Sequence, residues 1–137
     1  MAITTGICTV YKQAALATTM LSTDVYKLAL YTSAATLGAA TTGYSATDEV
    51  PASGSYSAGG VTLTGFTTGT SGTTGYLDWN DVVITSATIT ARGCLIYNAT
   101  AGVAVGCYDF GAEKTSTAGT FTVTMPAPGA AAVVTAS

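Results

Sequence analysis

The chain has 137 residues, of which four are basic and seven acidic, and it contains no histidine. Its net charge is −3, with 48% apolar and 8% charged residues, against roughly 25% charge in an ordinary soluble domain. Four scattered cations, Lys12, Lys27, Arg92 and Lys114, cannot neutralise a run of phosphates, which argues against nucleic acid as a partner. The apolar content argues against disorder, and the missing histidine removes the commonest general base.

The length suits one domain, residues 1–137, with enough chain for a proper core. A surface with this little charge solvates poorly alone, so a homo-oligomer or a lattice component is expected. No basic region precedes the weak apolar stretch Ala14–Leu21, and no signal peptide is expected. The uncharged run Leu28–Thr47 is interrupted by Ser33, Gly38, Gly43 and several threonines. It lacks the sustained apolar content of a membrane span, so a soluble intracellular product without a membrane partner is expected.

In chain order, CTVYKQAALATTML (residues 8–21) predicts a helix, from its alanines and leucines, with Thr5 or Thr9 as cap. DVYKLALYTS (24–33) is rich in β-formers and apolar on both faces, which suits a central strand. Residues 34–60 are small and turn-prone, punctuated by Gly38, Gly43, Pro51, Gly54 and Gly59-Gly60. They read as a surface excursion, with a short helix near Ala34–Ala39.

VTLTGF (61–66) reads as a strand with Val61 and Leu63 inward, and GTSGTTG (69–75) as a turn-rich loop. YLDWNDVVITSATITA (76–91) holds one or two strands, and RGCLIYN (92–98) a central one. The run from Asn98 to Gly102 is a hairpin loop returning through VAVGCYDF (103–110). EKTSTAGT (113–120) reads as a connector. FTVTM (121–125) alternates cleanly, with Phe121, Val123 and Met125 inward, until Pro126 and Pro128 end it. The tail AAAVVTAS, with Val133 and Val134, is a last edge strand or an arm reaching a neighbour. Short strands joined by Gly/Ser/Thr turns predict a mainly all-β fold, an antiparallel β-sandwich or jelly-roll-like domain with one short N-terminal helix.

Candidate chemistry is sparse. Asp78-Trp79-Asn80-Asp81 is the densest polar cluster, but it fails the EF-hand template. Val82 falls where an acidic ligand belongs, and Ile89 replaces the closing glutamate. It reads instead as the start of a strand, with Trp79 in the core and two solvated carboxylates. Asp109 and Glu113 flank Phe110-Gly111, but no aromatic groove accompanies them to hold a sugar, so a turn is the better reading. Gly59-Gly60 lacks the residues of a phosphate loop. No catalytic residue, cofactor or metal is expected.

Cys8, Cys94 and Cys107 match no zinc spacing. They read as reduced core thiols, with a Cys94–Cys107 bridge between neighbouring strands as the alternative. Arg92, the single arginine, needs a carboxylate, with Asp81 and Asp109 as candidates, or else a docking role on a neighbouring subunit. Tyr44 and Tyr56 lie in the Gly/Ser-rich excursion, where they either form an interface or fold over the end of the sandwich. The candidate interface residues are thus Tyr44, Tyr56, Arg92, Val133 and Val134.

DVYKLALYTSAATLGAATTGYSATDEV, then SGSYSAGGVTLTG, then DVVITSATITARGCLIYNATAGVAVGCYDFGAEKTSTAGTFTVTMP resemble a family of small virion structural proteins of tailed bacteriophages. The opening CTVYKQAALA is similar to that family's N-terminal helix, with Tyr11 in the aromatic place before Lys12-Gln13. The resemblance runs from about Cys8 to Met125, and LYTSAATL, SAGG, ATITARG, LIYN and DFG with KTSTAG are its most specific pieces. It implies a β-sandwich component of a virus particle without enzymatic activity. The expected role is a capsid decoration or cement protein bracing the major capsid protein. A neck, tail, collar or fibre-adaptor module bound to other virion proteins is the alternative.

Overall fold

The structure is a computed structural model that describes residues 3–16, 23–125 and 134–136. It is mostly β, with two antiparallel sheets and one short helix near the N-terminus, the fold class expected from the sequence.

The elements in chain order are β1 (Gly6–Ile7), α1 (Thr9–Leu16), β2 (Tyr26–Tyr31), β3 (Val61–Thr62), β4 (Thr67–Ser71), β5 (Thr74–Asp78), β6 (Val82–Asn98), β7 (Val103–Val123) and β8 (Val134–Ala136). One sheet has the order β1-β7-β6-β2-β3 and the other the order β4-β5-β8.

The larger sheet is built on a long hairpin. Asn98 sets the turn between β6 and β7. Its side-chain oxygen accepts the Ala101 amide at 2.9 Å and its carbonyl accepts that of Gly102 at 2.8 Å, an Asx-type turn. The expected hairpin loop is therefore present. The expected connector at residues 113–120 is not, because β7 runs unbroken through it to Val123. EKTSTAGT has no apolar alternation to announce a strand, but β6 supplies a partner for its backbone, with Thr90 opposite Thr115 and Ile89 opposite Ser116. Register shifts interrupt the pairing, among them two successive ones, the first around Ser86 (φ 51°) on β6 and the second around Ala118 (φ 46°) on β7. Such bulges bend and twist long strands.

β2 pairs with the end of β6, from Tyr26 opposite Asn98 to Tyr31 opposite Gly93. Leu28, Leu30, Ala29, Leu95, Ile96 and Val105 are all fully buried, so this region is covered on both faces, as the unbroken apolar runs predict.

The covering comes from the segment between β2 and β3. Read from sequence as a surface excursion, it contributes Ala35, Leu37, Val50 and Tyr56 to the core. It contains no helix at residues 34–39; a turn there leads to a parallel bridge between Leu37 and Ile3. It also closes two open strand edges. Val50 donates its amide to the Leu30 carbonyl at 2.9 Å. Farther along, the Ser53 and Ser55 hydroxyls accept the Thr88 and Thr85 amides of β6. Gly60 (φ 99°) lies so close to β2 that a Cβ would strike the Leu28 carbonyl, a position only glycine fills without strain.

The helix α1 begins one residue later than the sequence suggests and uses neither threonine as cap. Cys8 occupies that position, its carbonyl accepting the Tyr11 and Lys12 amides, while the Thr5 hydroxyl accepts the Asp109 amide. Residues 17–21 of the expected helix lie outside the described residues.

Tyr26, Phe66 and Trp79 join the two sheets. Their ring centroids stand 5.3 to 5.8 Å apart, within the range of favourable aromatic pairs. Residues 69–75, expected as a loop, instead form most of the β4–β5 hairpin around the turn at Gly72-Thr73.

Candidate docking surface

The few charged groups are mostly committed to the chain itself. Asp24 accepts the Asn98 side-chain amide at 2.8 Å, Asp78 the Trp79 amide at 2.9 Å and Asp81 the Met125 amide at 2.7 Å. Glu113 accepts the Ser33 hydroxyl at 3.0 Å. Asp109 pairs with Arg92 (Nε to Oδ1 2.8 Å) and also accepts the Gly111 amide. That pairing, the arginine first and then the amide, holds the Asp109 carboxyl below its ordinary value. Arg92 therefore takes the internal partner expected at Asp109, while Asp81 is used elsewhere. The reading of the 78–81 cluster holds for Trp79, which is core, but Asp78 is buried rather than solvated.

Among the described residues, Glu49 accepts three hydrogen bonds, from the Tyr44 hydroxyl at 2.5 Å, the Tyr56 hydroxyl at 2.7 Å and the Gly59 amide at 2.9 Å. The Tyr56 oxygen in turn accepts the Leu30 amide at 2.9 Å, filling a position on the β2 edge that a further strand would otherwise take. Burial first, and then its bond to Glu49, pushes the Tyr56 phenol well above the ordinary tyrosine value. The same two causes push Tyr44 up to about 12.

These positions separate the two loop tyrosines. Tyr56 is 1% exposed, a packing residue, and cannot serve as the outward aromatic the sequence allowed. Tyr44 is 36% exposed and stacks on Tyr97 with centroids 5.2 Å apart, so one ring face remains outward. Val134 starts β8, opposite Leu77 on β5. Val133 lies outside the described residues.

What remains exposed is a neutral, threonine-rich sheet face. Val83, Thr85, Thr88 and Thr90 on β6 and Thr115, Thr117, Thr120 and Thr122 on β7 are all exposed. Val83 reaches 55% and faces Thr122 across the strands, while the Thr90 and Thr115 hydroxyls lie 3.4 Å apart. A shallow groove of about 380 Å³, lined by Phe110, Lys114 and residues 120–124, borders it. Composition foretold the neutrality of this surface. It did not place the surface here, because residues 113–120 carry no strand pattern of their own.

All three cysteines are free and buried, the reduced core thiols expected from the sequence. Cys94 stands opposite Tyr108 and Leu95 opposite Cys107, so alternation sends the Cys94 and Cys107 side chains to opposite faces. They form no bridge. The close pair is Cys8 and Cys107, with sulfurs 3.8 Å apart. Among the described residues no group of three potential ligands is placed to hold a metal ion, and no helix is long and apolar enough to cross a membrane.

No family model matches the chain, and neither a curated protein nor a solved structure matches it.

Proposed function

We propose that the protein is a non-enzymatic structural component of a tailed-bacteriophage particle, a decoration or cement protein that braces the major capsid protein shell. The observation that carries this reading is the disposition of the acids. Asp24, Glu49, Asp78, Asp81, Asp109 and Glu113 each accept a hydrogen bond from within the chain, and this occupies most of the polar groups from which an active site would be assembled. The neutral threonine face of β6 and β7 supports the same reading. Threonine hydroxyls can bond across an interface, and Lys114, at the border of the face, is a charge that need not be buried in the contact. A weak contact of this kind gains strength when symmetry repeats it over a shell. The sequence resemblance supplies the particle.

The exposed face of Tyr44 favours a second reading, a neck, tail, collar or fibre-adaptor module that touches a host glycan. Stoichiometry separates the two. Purified particles should carry this chain in a copy number comparable to that of the major capsid protein; a dozen copies or fewer would move it to the neck or tail. In that event, glycan-array binding lost on Tyr44→Ala would identify the outward ring as the contact.

A further inference from the structure

Cys8 and Cys107 are 99 positions apart in sequence, yet both are fully buried and their sulfurs touch at 3.8 Å. The contact follows from the N-terminal segment. Gly6 and Ile7 pair with Cys107 and Gly106, and the Cys8 amide donates to the Val105 carbonyl at 2.9 Å. Both sulfurs also lie near one acceptor, the Gly38 carbonyl, at 3.7 Å from Cys8 and 3.5 Å from Cys107. The segment carrying Gly38 is thin. Its outer side, residues 36–43 with Thr4 and Ser45, lines an open cleft of about 740 Å³. The thiol pair thus sits one layer beneath the surface, below small residues.

We propose that Cys8 and Cys107 are a built oxidation site, converted by hydrogen peroxide to an intrachain disulfide that fastens the N-terminal segment to β7. The chemistry balances within the pair. The Cys107 thiolate attacks one peroxide oxygen, the O–O bond breaks and hydroxide leaves, taking up a proton to become water. Cys107 is then a sulfenic acid. Cys8 loses its proton and attacks the Cys107 sulfur, the S–S bond forms, the S–O bond breaks and a second water leaves. Two thiols have given up two electrons and two protons, and one peroxide has become two waters.

The order of attack follows from the environment. The hydrogen bond between the two sulfurs holds the Cys107 thiol below its ordinary value, which makes Cys107 the better nucleophile. The same bond, followed by burial, pushes Cys8 up. Cys94 is turned to the other face and raised by burial, so it stays reduced. This inference does not depend on the virion reading.

The test uses the folded wild-type chain, treated with peroxide, alkylated and digested with trypsin without reduction. The expected product joins the peptide ending at Lys12 to the peptide Gly93–Lys114, with Cys94 alkylated. The same link should form in Cys94→Ser and be lost in Cys8→Ser. Closing so long a loop should raise Tm by roughly 10 °C, and a reductant should reverse the rise. Three alkylatable thiols after treatment would overturn the proposal. So would a Cys94–Cys107 link, a link found only between two molecules, or oxidation of Cys107 to sulfinic acid without a partner.

Discussion

The middle of the larger sheet and the β4–β5 hairpin are antiparallel pairings drawn from one charge-poor sequence, yet they are held in different ways. Around β2 and the end of β6, side chains are buried on both faces and the open strand edge is closed by Val50 and by the Tyr56 hydroxyl. In β4, by contrast, Thr67, Thr68, Thr70 and Ser71 are exposed and Gly69 is half-buried. There the backbone ladder to β5 and the aromatic cluster at its base do the holding. The first region resists change through packing on both faces, the second mainly through its backbone ladder and the aromatic contact at its base, so substitutions should separate them sharply.

The widest separation is expected in the core. Leu95→Ala removes a fully buried side chain and should cost about 2–5 kcal/mol of unfolding free energy, read from the urea midpoint. A value near zero would mean that the two-sided core is not where stability resides.

Tyr56→Phe sharpens the role of the edge closure. It keeps the ring but removes the oxygen between the Leu30 amide and Glu49. The loss should be about 1–3 kcal/mol, because a buried amide is left without an acceptor.

Alkali should act on the same cluster. Tyr44 is raised from its ordinary value of 10 to about 12, and Tyr56 is raised as well. A phenol whose value is higher in the folded chain stabilises the fold fully below pH 10 and loses that contribution as pH rises toward about 12. Urea unfolding followed across this window should show stability falling, and falling less in Tyr56→Phe.

The smallest effect belongs to the hairpin. Thr68→Ala, on an exposed face of β4, should stay within about 0.5 kcal/mol of wild type. A larger loss would show that the smaller sheet is covered by something in solution, most simply by another copy.

The same contrast explains what the sequence made legible. β2 and FTVTM could be read directly, because their apolar residues recur at a spacing that reports burial, and Phe121, Thr122 and Met125 sit as the alternation predicts. The excursion at residues 34–60 is mostly exposed, as its composition suggests, but its core anchors escape notice because they are isolated. Val50 and Tyr56 are single apolar residues among Gly, Ser and Asp, and their partners, Leu30 and Glu49, are set by tertiary folding. Composition pointed to a neutral exterior but not to which strands present it. The Cys8–Cys107 contact could not be read at all, since it depends on the pairing of a two-residue strand with a segment a hundred positions away.

That pairing also bears on the order of events during synthesis. β6 and β7 can zip from the Asn98 turn as soon as both have emerged, since their contacts are local. Gly6 and Ile7 leave the ribosome first, but their partners Gly106 and Cys107 arrive much later. Until then the segment is a waiting strand with an exposed thiol, vulnerable to capture by a neighbouring nascent chain.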